Sequence, residues 1–369
     1  MKLAFCLYHY FPYGGLQRDC LRIARAALAR GHQVTCYVTG WDGDTLPGLV
    51  VRQLPAKGGS NHARMASFAR ALTAALTREP ADIVLGFNRL PGLDIYFAAD
   101  SCFAEHLASK PRLVRWLPRY RTFLALEQHV AREAHFLFLN DHQRQQYQRH
   151  YALPAERFTL LPPGIEPDRR RPDNPDRIRA VTRAALGLRD DEKAVLFLGS
   201  GFRVKGLDRA LAALASLPDD RLADTRLLIV GNDDPQPYLA ALPAVDRERL
   251  RGRIRVDGAR DDVPALLQAA DLLLHPAYRE SAGMVLLEAT VAGLPVLTTD
   301  TCGYARYVLE AGAGEVIASP FEQSALNETL ARMLATVPGA WSASGARYGR
   351  EQDLYRLPDT VVDLLEERG

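Results

Sequence analysis

Short runs rich in Val, Ile, Leu and Phe alternate along the chain with longer segments whose apolar residues return at helical spacing. A short run bounded by turn residues fits a strand, and a period near 3.6 fits a helix buried along one stripe. Lys2–Tyr8 reads as a strand; Leu16, Cys20, Leu21, Ala24, Ala27 and Leu28 then share a helical face until Gly31 ends it. The same alternation continues through strands Gln33–Val38, Asp82–Gly86, Ile95–Ala98 and His135–Leu139, with helical stretches at Ala63–Leu76 and around Leu117–Ala134. After Phe158-Thr159-Leu160-Leu161 come Pro162-Pro163-Gly164 and a proline-punctuated polar run from Glu166 to Arg177, the composition of an interdomain connection. The pattern then restarts. Strands are expected at Ala194–Leu198, Arg226–Val230, Arg253–Val256, Asp271–His275 and Pro295–Thr298, and helices near Leu207–Ser216, Pro264–Ala269, Met284–Ala292 and Gln323–Leu334.

Such alternation predicts parallel sheets joined by crossover helices. The expected class is α/β, with two doubly wound domains at residues 1–163 and 164–350 facing across a cleft. A C-terminal helix within 351–369 is expected to pack back on the first domain.

Composition narrows this only in part. A chain of 369 residues is long for one small core, in keeping with two domains. With 46 Lys+Arg against 44 Asp+Glu, no global field attracts a polyanion, so nucleic acid is not an expected partner. Cys6, Cys20, Cys36, Cys102 and Cys302 are odd in number and far apart, which suggests buried reduced thiols rather than disulfides or a zinc site. The opening Met1–Leu7 lacks the features of a secretory signal, and no stretch approaches the roughly 18 apolar residues of a membrane helix, so a cytoplasmic location is expected.

Ligands of open α/β sheets sit beyond the carboxyl ends of the strands. After the first strand, Gly14 and Gly15 could bring backbone amides to a phosphate at a helix start, or could serve only as strand-to-helix geometry. More specific is Tyr278-Arg-Glu-Ser-Ala-Gly-Met-Val-Leu-Leu-Glu-Ala289. Glu280 lies in the loop after strand Asp271–His275, Ser281 is placed to cap, Gly283-Met284-Val285 open a helix, and Glu288 lies inside it. Two carboxylates with seven residues between them, flanking an amide-rich helix start, suit a ligand with hydroxyls at both ends and a diphosphate between. The plainer reading, two solvated glutamates, fits poorly with the apolar Met284–Leu287 between them. Asp42-Gly43-Asp44 has the form of a metal-binding Asp-x-Asp but reads more simply as a turn.

Glu280-x7-Glu288 resembles the paired-glutamate signature of retaining glycosyltransferases of family 4, which have two Rossmann-like domains in the GT-B arrangement. Phe11-Pro-Tyr-Gly-Gly-Leu-Gln-Arg-Asp19, Gly86-Phe-Asn-Arg-Leu-Pro-Gly-Leu-Asp94, Leu161-Pro-Pro-Gly-Ile165, Leu272-Leu-Leu-His-Pro-Ala-Tyr278 and Cys302-Gly-Tyr304 are together similar to one branch, the bacterial lipopolysaccharide core glucosyltransferase I family. The likeness runs essentially end to end. It implies transfer of glucose from UDP-glucose to the second heptose of the lipopolysaccharide inner core, with retention of configuration, by a monomer that uses no metal or other cofactor.

The same resemblance implies roles for residues. Glu288 would hold the ribose hydroxyls. Glu280 and the run Ser281, Ala282, Gly283, Met284 and Val285 would hold the hexose and phosphate, and Gly14 and Gly15 would approach the distal phosphate. The turn containing Gly231 and the segment Arg255–Asp262, with Arg260, would meet the uracil ring. Lys205 would offset charge on the leaving diphosphate. The family's usual second cation, an Arg five positions earlier, is Ser200 here, which leaves Arg203 and Arg169 as candidates. Asp100 stands where the family often has a sugar-binding histidine, and Asp19 one turn into the first helix; either could face the reacting sugar or simply cap or favour a helix start. No further carboxylate is nominated as a nucleophile, which favours front-face substitution over double displacement.

Lys110-Pro-Arg-Leu-Val-Arg-Trp-Leu-Pro-Arg-Tyr-Arg121 puts five cations and no acid in twelve residues. Lys110, Arg112, Arg115, Arg119 and Arg121, with Trp116 and Tyr120, are read as a surface for an anionic inner membrane, since the expected acceptor is a lipid; the alternative is a solvated basic helix, with Pro118 interrupting it. A GT-B transferase with another donor or acceptor, and a nucleotide-sugar-binding protein without turnover, remain alternatives at this level.

Overall fold

The computed structural model describes residues 1–12, 14–108, 110–336 and 339–369. It divides into two compact units, Met1–Gly164 with Arg356–Gly369, and Ile165–Tyr355. The first holds β1 (Lys2–Cys6), β2 (Gln33–Val38), β3 (Val50–Gln53), β4 (Ile83–Gly86), β5 (Ile95–Ala98), β6 (His135–Phe138) and β7 (Phe158–Leu160). They form one parallel sheet in the order β3-β2-β1-β4-β5-β6-β7. The second holds β8 (Lys193–Leu198), β9 (Thr225–Val230), β10 (Ile254–Asp257), β11 (Leu272–His275), β12 (Val296–Thr299) and β13 (Gly314–Ile317), in the order β10-β9-β8-β11-β12-β13, again all parallel. Both sheets are doubly wound, and the strand order reverses between β1 and β4 in one and between β8 and β11 in the other. Those two switch points are where loops splay apart and leave room for a ligand.

The central strands are apolar on both faces because helices cover both: β4, β5, β6, β11 and β12 are buried at every position. The hydrophobic pattern does not announce β3 or β13. Both are sheet edges, where β3 carries the exposed Val50 and β13 the half-buried Gly314 and Glu315, so the buried run that marks a central strand is missing. Several helices are likewise unannounced, the longest of them Asp141–Tyr151, Pro175–Ala185 and Gly339–Glu351. The second begins inside the proline-rich polar run, with Pro175 at its first turn, where a missing N–H is harmless.

The C-terminal helix Leu357–Glu366 packs on the first-unit helix Gly15–Ala29. Arg30 donates to Asp363 (2.5 Å) and Glu366 (3.1 Å), and His32 meets Glu366 at 2.7 Å, tying the chain end to the start of its own unit. In the second unit, the helix Met284–Ala292 is apolar nearly all round and packs against Gly339–Glu351. Gly345 and Gly349 make that approach possible: a β-carbon at Gly345 would lie 2.4 Å from the Thr290 carbonyl oxygen, and one at Gly349 would lie 2.7 Å from Val291 Cβ. All five cysteines are free and buried.

Candidate active site

At the switch point of the second unit, two loops bring opposite charges together. The loop after β8 runs through Gly199 and Gly201, both at positive φ, into the single-turn helix Phe202–Lys205. Asp233 accepts from the amides of Gly201 (3.1 Å) and Phe202 (2.9 Å), which fixes the start of that turn. Lys205 then lies back over Gly199, where a β-carbon would be 2.8 Å from Lys205 Cε. The loop after β11 carries Glu280, and Lys205 Nζ donates to Glu280 Oε2 at 2.6 Å.

The Glu280 backbone is held from both sides. Its N–H donates to Thr301 O (3.2 Å), its carbonyl accepts from Gly303 N (3.1 Å), and Tyr304 N reaches Ala282 O at 2.7 Å. Thr299 and Thr301 hydroxyls both donate to Ala277 O, at 2.8 and 2.7 Å. Burial works to raise the Glu280 carboxyl, but the nearby His275 ring and the Lys205 ammonium overcome it and hold the group down at about 2. His275 is fully buried, and its Nε2 stands 3.9 Å from Glu280 Oε2, beyond hydrogen-bond reach.

Gly283, at φ +82°, is the N-cap of the helix Met284–Ala292. The N-cap position thus falls to Gly283, two residues beyond Ser281, because glycine adopts the left-handed turn that starts the helix. Met284 and Val285 form the half-buried first turn, whose amides point away from the helix. Glu288 is 4% exposed rather than solvated, and Arg169 approaches it with Nε 3.7 Å from Oε1. Arg169 Nε and Nη1 are buried without hydrogen-bond partners.

The other expected donor-side residues are placed differently. Arg203 is exposed and forms no ion pair among the described residues. Arg260 is gripped by Asp262 in a two-toothed pair at 2.7 and 2.5 Å. Gly231 sits so tightly against the Gly199 carbonyl that a β-carbon would be 2.5 Å from it, so this glycine shapes the loop that carries Lys205.

In the first unit, Gly14 is the N-cap and Gly15 the first residue of the helix Gly15–Ala29. Asn88 Oδ1 accepts from Tyr8 N at 2.7 Å, linking the loops after β1 and β4 across the switch point. Asp19 is 3% exposed and pairs with Arg22 (3.3 Å), whose Nη1 also donates to Gly164 O (3.1 Å). Asp100 is exposed, 3.8 Å from Arg89. Asp42 and Asp44 flank Gly43 at φ +102°; Asp42 meets His9 at 2.9 Å, and Asp44 offers its carbonyl to Trp41 Nε1.

The residue that sequence reasoning misses here is Glu127. Fully buried, it accepts from the amides of Phe103 (2.6 Å) and Ala104 (2.8 Å), from Tyr147 OH (3.1 Å) and Tyr151 OH (2.7 Å), and pairs with Arg89 Nε at 3.0 Å. The signal is present in the sequence: Glu127 falls on the helical stripe of Val130, Ala131 and Ala134, a charge among buried apolar positions.

The basic stretch forms a short helical turn Arg112–Trp116 followed by the helix Pro118–Glu133, so Pro118 starts a helix rather than breaking one. Leu113, Trp116 and Leu117 are exposed at 82%, 75% and 51%, beside the exposed Lys110, Arg112, Arg115, Arg119 and Arg121. Tyr120 is half-buried and stacks on Phe103. No described helix is long and apolar enough to cross a membrane.

Comparison with known proteins shows the family. Residues 13–169 match the family Glycosyltransferase Family 4, and residues 179–338 match Glycosyl transferases group 1. The chain is 44% identical over 371 residues to the lipopolysaccharide glucosyltransferase WaaG of Escherichia coli K12, spanning 99% of this chain and 98% of that one. It belongs to the family 4 glycosyltransferases, in the lipopolysaccharide glucosyltransferase branch. A crystal structure of WaaG, a glycosyltransferase involved in lipopolysaccharide biosynthesis, superposes with a TM-score of 0.93 at 44% identity, over 98% of this chain and 99% of that one. Sucrose-phosphate synthase from Thermosynechococcus elongatus shares the fold at 21% identity, with a TM-score of 0.77 over 99% and 98% of the two chains. As a glycosyltransferase with the GT-B fold, the protein carries its Lys205–Glu280 pair at a switch point of the doubly wound sheet.

Proposed function

We propose that the protein transfers glucose from UDP-glucose to the second heptose of the lipopolysaccharide inner core, with retention of configuration. The observation that carries this reading is the Lys205–Glu280 pair at the β8/β11 switch point, followed eight residues on by the buried Glu288. Glu280 accepts from hexose hydroxyls, and Glu288 accepts from the ribose hydroxyls. Lys205 places its charge where negative charge builds on the departing diphosphate, a position at which a fixed cation stabilises the transition state far more than the ground state. Arg169, whose buried Nε and Nη1 make no hydrogen bond, is the better second cation than the solvent-facing Arg203. The first helix turn, with Gly283 to Val285, gives amides to the phosphate.

Lys205 supplies the charge that a metal supplies in other transferases, so turnover is independent of metal. The first unit binds the acceptor, and the exposed Leu113, Trp116 and Leu117 among five cations dock it at an anionic inner-membrane surface. The departing phosphate deprotonates the acceptor hydroxyl on the face it leaves.

The test is incubation with radiolabelled UDP-glucose, UDP-galactose and UDP-N-acetylglucosamine in turn, each with heptose-terminated core lipopolysaccharide, with and without EDTA. Label is expected in the lipid from UDP-glucose in both conditions. Transfer from another donor instead would replace the donor, and loss on chelation restored by Mn²⁺ would overturn metal independence.

A further inference from the structure

The proposed reaction sends Lys205 to a diphosphate and Glu280 to a hexose, yet in this structure the two groups meet each other at 2.6 Å. A donor that draws Lys205 away removes the cation that holds Glu280 ionised. The Glu280 side chain is only 22% exposed, and a largely desolvated charge without a partner is costly. Directly behind it stands His275, the last residue of β11.

That ring is unusual. It is 0% exposed, and neither Nδ1 nor Nε2 has a hydrogen-bond partner, although buried polar side-chain atoms are nearly always satisfied. Its Nε2 is 3.9 Å from Glu280 Oε2, about 1 Å outside hydrogen-bond range, a gap that a small rotation of the glutamate side chain closes. The histidine itself is fixed: β11 pairs with β12 through His275 and Thr298, and Thr298 Oγ1 donates to the His275 carbonyl at 2.9 Å. Burial lowers the basicity of the imidazole, with Glu280 opposing and Lys205 reinforcing.

We propose that His275 is a positioning residue, which donates from Nε2 to Glu280 Oε2 when Lys205 turns to the donor diphosphate, and so holds the carboxylate against the hexose. The orphaned ring and the exchangeable pair are then two parts of one device. Lys205 satisfies Glu280 while the site waits, and His275 satisfies it while the site works. This rests on the reading of Lys205 and Glu280 as donor-binding groups.

The experiment compares His275→Leu, His275→Gln and His275→Asn in the full-length protein. His275→Leu is expected to lower kcat/KM for UDP-glucose by about 10- to 100-fold, the effect of losing a hydrogen bond to a charged group. His275→Gln keeps a long N–H donor and recovers most of the loss; His275→Asn is too short and does not. A second readout needs no substrate: in a Lys205→Met background, where Glu280 has lost its cation, His275→Leu lowers Tm by more than it does with Lys205 present. Equal activity of the Gln and Asn variants, or additive Tm changes, would overturn the proposal, and the comparison of Gln with Asn stands even if the Leu variant fails to fold. Glu280→Ala run alongside separates the two readings. Full turnover by Glu280→Ala sinks the donor site itself, whereas its loss together with full turnover by His275→Leu removes only the role of His275.

Discussion

Each unit of this chain holds an arginine or lysine against a glutamate, and the two treat the pair in opposite ways. Lys205 and Glu280 retain 16% and 22% side-chain exposure and are joined by one 2.6 Å bond, with little else satisfying either group. Arg89 and Glu127 are sealed at 13% and 0%, and Glu127 is surrounded by two amides and two tyrosine hydroxyls as well as the guanidinium. A pair with one shared bond and access to solvent can be exchanged for a ligand. A pair whose every lone pair is already committed can only hold a framework, here the start of the helix Phe103–Ala108 and the loop bearing Asp100. The difference separates a site from a scaffold where charge alone does not.

The largest expected effect comes from breaking the exchangeable side. Glu280→Ala should cut transfer from UDP-glucose by at least about 10²-fold, the scale of removing one stabilising group from an active site, while the protein still folds and melts cooperatively. Comparable loss of both turnover and fold would mean that this pair is scaffold too. On the sealed side, Glu127→Leu strands a buried Arg89 and should cost roughly 3–5 kcal/mol in denaturant unfolding. A midpoint close to wild type would erase the contrast.

A smaller effect follows from acid. The carboxyl of Glu280 is depressed from its ordinary value of 4.5 to about 2, so the folded state binds its proton later than the unfolded state does. Its stabilising contribution is present above pH 4.5 and drains away as pH falls toward about 2. The stability gap between wild type and Glu280→Gln should therefore be full at neutral pH and narrow across that window. A gap that is constant with pH would show the pair to be no more than a surface contact. The smallest effect belongs to the basic patch, where Arg112→Ala or Arg119→Ala should each weaken binding to phosphatidylglycerol vesicles about fivefold, near 1 kcal/mol per cation. Equal pelleting of all three proteins would detach this patch from membranes.

Residues whose surroundings are set by near neighbours in sequence were legible. The central strands announced themselves as apolar runs, and the helix Met284–Ala292 with its leading glycine followed from Gly283 and the apolar residues after it. The edges β3 and β13 did not, because a strand covered on fewer sides needs fewer apolar residues. Among the site residues, Glu280, Glu288 and Lys205 stood out by spacing and resemblance. Asp19 was equally visible in the chain, but only the fold shows it buried against Arg22.

By itself, then, the sequence determined the alternation of strand and helix, the two sheets, and the family that the paired glutamates mark, since each depends on local pattern and on spacing along one chain. Tertiary structure alone decided which charges meet. Lys205 reaches Glu280 across 75 positions, Arg89 reaches Glu127 across a crossover between strands, and His275 is left facing Glu280 with no partner of its own. Parallel sheets bring distant loops together at their carboxyl ends, and no local periodicity records which side chains will then lie within 3 Å of one another.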